Sequence, residues 1–331
     1  MEQSPPEAVV TSFLAWLSSA SLGPPRTLGT LSVVPVHAPE GAPARYRPFD
    51  AALAAGSVTI TEKPQATVPT LLIENRGDLP ILLLDGEEVV GGRQNRVLNT
   101  SLIVPPKTAF DLPVSCVEHG RWHESRPDFA PGETMYPALR MMKMAQVRES
   151  VEFRGTPMSD QGAVWEEIAA RHRQVGSHSA TGAVRDAYIQ NERLLRNAEQ
   201  ELPCPASAVG VVALVGGRAL SADLFDLPET LAHYWRRLVR SYALEAMEGN
   251  LAEPDLASAE RLLRRPGRAE CRAFASAGLG TDVRIRGNGV VGTGLLFEGS
   301  AVHTALFRER GDQRRQGGSI RRPSARRSYR D

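Results

Sequence analysis

The sequence predicts an α+β protein with an antiparallel β-rich N-terminal part, central helices and a C-terminal β-meander. Three observations carry this. Short aliphatic and β-branched runs separated by turn residues fill 28–122, helix-period patterns dominate 159–247, and strand-length runs return over 281–307. Strands and helices are segregated rather than alternated, which argues against a parallel βαβ sheet.

Residues 1–27 carry a helix in which Val9, Val10, Phe13, Leu14, Trp16 and Leu17 recur near helical spacing, and Gly23-Pro24-Pro25 ends it. The strand runs that follow are 30–36, 57–62, 68–74, 79–84, 97–104 and 109–117, with a short helix near Pro48–Ala55. Asn75-Arg76-Gly77-Asp78, Asp85-Gly86 and Pro105-Pro106-Lys107 break them, and connections this short suit antiparallel pairs, because a parallel crossover needs a dozen residues or more. Residues 121–157 read as a long loop with one helix over 138–147. Met135, Met141, Met142 and Met144 serve there as gap fillers rather than a cofactor box. Ser159 can cap a helix carrying Trp165, Ile168 and Ala169, and after the interruption at Gly176–Gly182 a second helix covers 183–201.

Runs 209–215 and 218–224 around Gly216-Gly217 read as a hairpin with a two-residue turn. Asp226-Leu227-Pro228-Glu229 places a capping acid, a Pro in the first turn and a Glu at the third position ahead of a helix through Met247. A helix over 255–264 and strands near 281–286, 290–297 and 301–307 complete a single domain over 28–309, β-rich over 28–122 and mixed over 159–309.

Composition bounds the function. The chain has 331 residues, 42% hydrophobic and 23% charged, with a formal net charge of +1. The charge is uneven: 310–331 hold eight Arg against Asp312 and Asp331, so a disordered Arg-rich tail carries +6 and the remainder −5. Of 39 basic residues only Lys63, Lys107 and Lys143 are lysines, a bias that reads as a high-GC, bacterial genome rather than a phosphate-binding design. Three widely spaced cysteines supply no disulfide framework, which fits a reducing cytoplasm. The apolar stretch over 8–22 is too short and too rich in Ser and Thr to span a bilayer, and no basic residue precedes it as in a signal peptide. No membrane association is expected. Nucleic-acid contact through the tail is disfavoured, because only Tyr329 interleaves its arginines.

Two polar blocks and one acid stand out. The first runs from Asp85 to Thr100 and holds Glu87, Glu88, Gly91-Gly92, Gln94-Asn95-Arg96 and Asn99. Gly91 and Gly92 would let backbone N–H groups approach an anion, Arg96 can grip a phosphate or carboxylate bidentately, and Gln94, Asn95 and Asn99 offer donors and acceptors. A solvated β-connection explains the same residues. The second block, Ser115–Glu124, contains Cys116, Glu118, His119, Arg121, Trp122 and His123. On a strand Cys116 and Glu118 share a face, so a Cys-Glu couple is easier than Cys-His; Cys116, His119, His123 and Glu124 could ligate zinc if the strand breaks at Gly120, but Cys-x2-His-x3-His supplies only three N/S ligands, and no metal is assigned. Asp223, unlike the capping Asp226, has no structural duty in the sequence.

At these places the text resembles a known family. LLLDGEEVVGGRQNRVLNTSLIVPP, LPVSCVEHGRW and VGGRALSADLFDLPETLAHYWRRLVRSYALEA are similar to the ARG-and-rhodanese-phosphatase-superfamily-associated protein domain, over about Leu28 to Phe307. Such proteins usually have Gln where this chain has His119, which removes the middle ligand of the zinc reading. The resemblance implies, through gene neighbourhood alone, processing or sensing of ADP-ribose-type nucleotides. Glu88, Cys116 and Glu118 are then the candidate catalytic residues. Glu87, Gly91, Gly92, Gln94, Asn95, Arg96, Asn99, Arg121, Trp122 and Asp223 are the candidate ligand contacts, with no cofactor. The expected partner is a small phosphorylated ribose or nucleotide. The competing expectation is a non-catalytic β-rich scaffold that meets a protein partner or a second copy.

Overall fold

The computed structural model describes residues 6–39, 45–63 and 69–309, so the Arg-rich segment lies outside the described residues. The helices are α1 (Pro6–Ser19), α2 (Phe49–Ala54), α3 (Pro137–Arg154), α4 (Gln161–Gln174), α5 (Arg185–Gln190), α6 (Glu192–Glu201), α7 (Pro228–Ala246) and α8 (Leu256–Arg264). The fold is α+β. Among the described residues every strand pair is antiparallel except Arg47–Pro48 on Ile81–Leu82, in keeping with the short connections.

Nine strands form the large sheet. Its path is Ser21–Leu22, Leu31–His37, Gly210–Val215, Arg218–Phe225, Ser300–Arg308, Val290–Phe297, Thr281–Gly287 and Glu270–Ala275, with Arg26–Leu28 also on Leu31–His37. The early strand Leu31–His37 therefore belongs with the C-terminal meander. Its two faces obey the two-residue period: Leu31 and Val33 enter the core beneath α3–α7, while Val34 and Val36 enter the one covered by α1 and α8. Val211 with Ala213, against Val212 with Leu214, divide in the same way.

A six-stranded sheet, ordered Ala130–Thr134, Glu87–Val90, Arg96–Leu98, Thr108–Cys116, Thr70–Asn75 and Val58–Thr61, and a three-stranded one, Leu102–Val104, Ile81–Leu83 and Arg47–Pro48, enclose a third core with α2. The expected single run 97–104 is two strands in different sheets. Asn99-Thr100-Ser101 breaks it, with Asn99 N–H donating to Pro113 O and Ser101 Oγ accepting from Asp85 N–H. The polar stretch 87–90 and residues 130–134 are paired strands rather than connections.

Helix ends differ in detail from the sequence reading. Asp160, not Ser159, caps α4 by accepting from the Gly162 and Ala163 N–H groups. The stretch 183–201 is two helices divided at Asn191. Leu227, not Asp226, stands at the N-cap of α7, and Asp226 accepts a hydrogen bond from Tyr46 Oη at 2.6 Å. The helix expected over 138–147 extends to Arg154, where Gly155 closes it at φ 69°.

One buried arginine with two carboxylates ties the sheets together. Arg140 of α3 is fully buried and donates from Nη1 and Nη2 to Asp223 of the large sheet at 3.1 and 2.7 Å, and from Nε to Asp85 of the β-rich part at 3.2 Å. Tyr242 Oη of α7 also donates to Asp223, at 2.6 Å. Removing one partner of such a pair strands a charge out of water. Asp223→Ala is expected to lower unfolding free energy by about 3–5 kcal/mol, with Arg140→Met added to it costing less than the two separate losses. Urea denaturation checks this, and a loss under about 1 kcal/mol for Asp223→Ala contradicts it.

Candidate functional site

The first polar block is buried almost throughout: Glu87, Glu88, Arg96 and Asn99 are each 1% exposed. It is not a solvated hairpin. Glu87 and Glu88 are successive strand residues, so their side chains leave on opposite faces. Glu87 Oε2 accepts from the Leu84 N–H at 2.7 Å and Oε1 lies 2.9 Å from Arg237 Nη1, which places this carboxylate in the packing of α7.

Gly91 and Gly92 are glycines for a packing reason. A Cβ at Gly92, where φ is +51°, would stand 2.4 Å from the Phe129 ring, and one at Gly91 would stand 2.4 Å from Asp128 O. Their N–H groups already donate, Gly91 to Asn95 Oδ1 and Gly92 to Arg126 O. The approach expected for an anion is occupied by the chain itself. Arg121 fills the space alongside: it donates to Glu118 at 2.9 Å, to Gly92 O at 2.7 Å, to His123 O at 3.0 Å and to Asn95 Oδ1 at 3.0 Å. Arg96 donates to Gln94 O at 2.9 Å and lies 3.7 Å from Glu62, while Gln94 Nε2 donates to Glu118 O.

Glu118 accepts from the Asn95 N–H and from Thr181 Oγ1 in addition to Arg121. Burial opposes its ionisation, yet Arg121 and these donors outweigh it and hold the carboxyl below its usual range. The strand ends at Cys116, so the alternation that would pair Cys116 with the Glu118 carboxylate stops there. The thiol instead points to the Glu118 carbonyl at 3.2 Å. Burial pushes the Cys116 thiol up, away from the thiolate a nucleophile needs, and Gln161 clamps its backbone through both amide atoms. Asn99 accepts from Ser115 Oγ at 2.7 Å beside a cleft of about 180 Å³ that Ser159 and Gln161 also line. Trp122 is 54% exposed.

Asp223 is engaged by Arg140 and Tyr242, and His303 Nε2 lies 3.3 Å from it. Ser101 Oγ in turn stands 2.7 Å from His303 Nδ1. The structure thus adds Arg140, Tyr242, His303 and Ser101 to Asp223. They lie 19 to 202 positions from their partners, so no local motif announces them. Lys143, fully buried and donating to Leu98 O, is pushed down to about 7 by burial, with Asp85 opposing and Arg140 assisting.

Glu88 differs from the rest. Its side chain is fully buried beside a register shift between Pro131 and Thr134, and a Cβ on Gly132 would stand 2.4 Å from Oε2. Oε2 accepts from the Glu133 N–H at 3.2 Å and faces Arg185 Nη1 at 3.6 Å; Oε1 has no hydrogen-bond partner among the described residues. Burial, reinforced by the Glu133 and Glu118 charges and opposed by Arg185 and the Glu133 N–H, pushes its carboxyl up to about 7. Glu88 can thus exchange a proton near neutrality, whereas Glu118 is held ionised. Among the described residues no group of three or more His, Cys, Asp or Glu is placed to hold a metal ion, and no helix is long and apolar enough to cross a membrane.

A carboxyl raised by folding favours the folded state below its unfolded value, and that contribution is lost as pH rises through about 7. Between pH 4.5 and 8 the loss is expected to be on the order of 3 kcal/mol for Glu88, and Glu88→Gln should flatten the pH dependence over that interval. Chemical denaturation of both proteins at several pH values reads this, and parallel curves contradict it.

No curated protein and no solved structure matches the chain. The family profile described as "ARG and Rhodanese-Phosphatase-superfamily-associated Protein domain" matches residues 19–307, a span running from the last residue of α1 to the penultimate residue of Ser300–Arg308 and including both polar blocks, Glu88 and the Arg140 cluster. The chain belongs to this family.

Proposed function

We propose that the protein binds, and acts by proton exchange on, an ADP-ribose-type or other phosphorylated ribose ligand, with Glu88 as the reacting carboxyl and Arg185 as the cation that meets the ligand's negative charge. The observation that carries this is the buried Glu88 carboxyl, with one oxygen unpartnered among the described residues and a pKa of about 7. Arg185, whose side chain is 39% exposed, is open to solvent as Arg96 and Arg121 are not, so the anion anchor moves from the hairpin to α5. Glu118, held ionised by Arg121 and its hydrogen-bond donors, suits the complementary role.

A non-catalytic scaffold that meets a protein partner or a second copy is the second reading. It is favoured by the internal pairing of Glu87, Arg96, Asn99, Arg121 and Asp223, which gives the polar blocks a duty in the fold itself.

Thermal-shift titration with ADP-ribose and its phosphorylated forms separates the two. At ligand ten times Kd, Tm should rise by about 2 °C, and Arg185→Ala should weaken the response about tenfold while Glu88→Gln preserves folding. A flat response at millimolar ligand, together with a mass by light scattering that grows with protein concentration, would favour the scaffold.

A further inference from the structure

The arginines of the polar blocks are unequal. Arg96 and Arg121 are buried and donate within the chain, and Arg126 pairs with Asp128 at 2.9 Å. Arg93 is exposed, and no carboxylate among the described residues pairs with its guanidinium. That guanidinium lies over the Trp122 ring, 5.7 Å from the centroid. The indole is more than half exposed, an unusual state for a side chain of such apolar area.

Neither residue sits on loose backbone. The Arg93 N–H donates to Glu62 Oε1 at 3.1 Å, and Arg121 Nη1 grips the His123 carbonyl at 3.0 Å, so the main chain is tied immediately before and after Trp122. A guanidinium can lie against an aromatic ring by its face and still donate from its edge, where its fork matches phosphate oxygens. An exposed indole beside an unspent guanidinium combines the two elements that single nucleotides require: a surface for base stacking and a bidentate donor for phosphate.

We propose that Arg93 and Trp122 form a nucleotide-binding platform, with the base stacked on the indole and the phosphate held by the Arg93 guanidinium. The platform deepens the ADP-ribose-type reading and rests on it, by giving the ligand's nucleobase a place to stack. Equilibrium dialysis with AMP, ribose 5-phosphate and a single-stranded pentaadenylate tests it. AMP or pentaadenylate should bind at least fivefold tighter than ribose 5-phosphate, and Trp122→Ala should erase that advantage. Arg93→Ala should weaken AMP about tenfold, with Arg93→Lys intermediate because it keeps the charge and loses the fork. The tighter of the two adenylate probes identifies free nucleotide or single strand as the source. Equal binding of AMP and ribose 5-phosphate, or adenylate binding indifferent to Trp122→Ala, overturns the platform. If ribose 5-phosphate binding then remains sensitive to Arg185→Ala, the Glu88–Arg185 reading stands without it; no binding of any probe at millimolar concentration removes both.

Discussion

A single guanidinium in the interior sets the terms for the rest of the molecule. Arg140 has no exposed side-chain surface, and a positive charge held there is tolerable only if carboxylates reach it from several directions. Asp223 comes from the large sheet, Asp85 from the β-rich part and Tyr242 from α7. Both sheet regions therefore have to meet α3 for the charge to be neutralised, and α7 joins them through Asp223. Gly86, at φ +78°, is part of the same requirement, since a Cβ there would stand 2.7 Å from the Arg140 side chain. Burial disfavours the charge on both sides, yet Arg140 and His303 hold Asp223 well below the usual carboxylate range, while Asp223 and Asp85 hold Arg140 above its own. Apolar residues of similar volume can stabilise a core as well or better. What they lack is directionality, and a bidentate pair fixes the position of α3 against the large sheet as packing alone does not.

Once α3 is placed, the environment of Glu88 follows. The strand Ala130–Thr134 leads into α3 and lies along Glu87–Val90, and its register shift leaves Gly132 against the Glu88 carboxyl. Adjacent acids on one strand thus meet opposite fates. Glu87 turns toward Arg237 and becomes part of the packing of α7, whereas Glu88 turns toward a backbone N–H and an arginine that is only partly inside. The period-2 geometry of a strand, not the chemistry of the residues, decides which carboxyl is spent on structure.

Much of the fold was legible because it is written locally. Gly216-Gly217 between two apolar runs marks its hairpin, and both glycines sit at positive φ, 58° and 73°. Helix α7 shows Pro228 and Glu229 at its start, and the meander over 281–308 shows Asn288-Gly289 and Gly299 between strands. Other elements were hidden for physical reasons. Glu87–Val90 begins with two acids, which ordinarily face water; their partners, Arg237 and Arg185, come from helices 150 and 97 positions away. Asn99-Thr100-Ser101 looked like strand text, yet its polar groups bond to the backbone and send the chain into a second sheet. The pairing of Leu31–His37 with Gly210–Val215 depends on two faces being covered at once, which no single segment records.

The candidate site was legible in its residue types and illegible in their state of use. Gly91-Gly92 with Gln94-Asn95-Arg96 has the composition of an anion cradle, but composition does not say whether the donors are already engaged. Here Phe129 occupies the space the glycines open, and Arg121 takes the carbonyl and amide oxygens around it. Of the four arginines within Arg93–Arg126, two are buried in that network, one faces Asp128, and Arg93 finds no carboxylate for its fork among the described residues. The distinction matters electrostatically. With the described body slightly acidic, a diffuse positive field cannot gather anions, so attraction has to be short-ranged and must come from guanidinium groups that the fold has left unpaired or only partly covered. Arg93 and Arg185 meet that condition, one beside an exposed indole and the other over a buried carboxyl that can carry a proton.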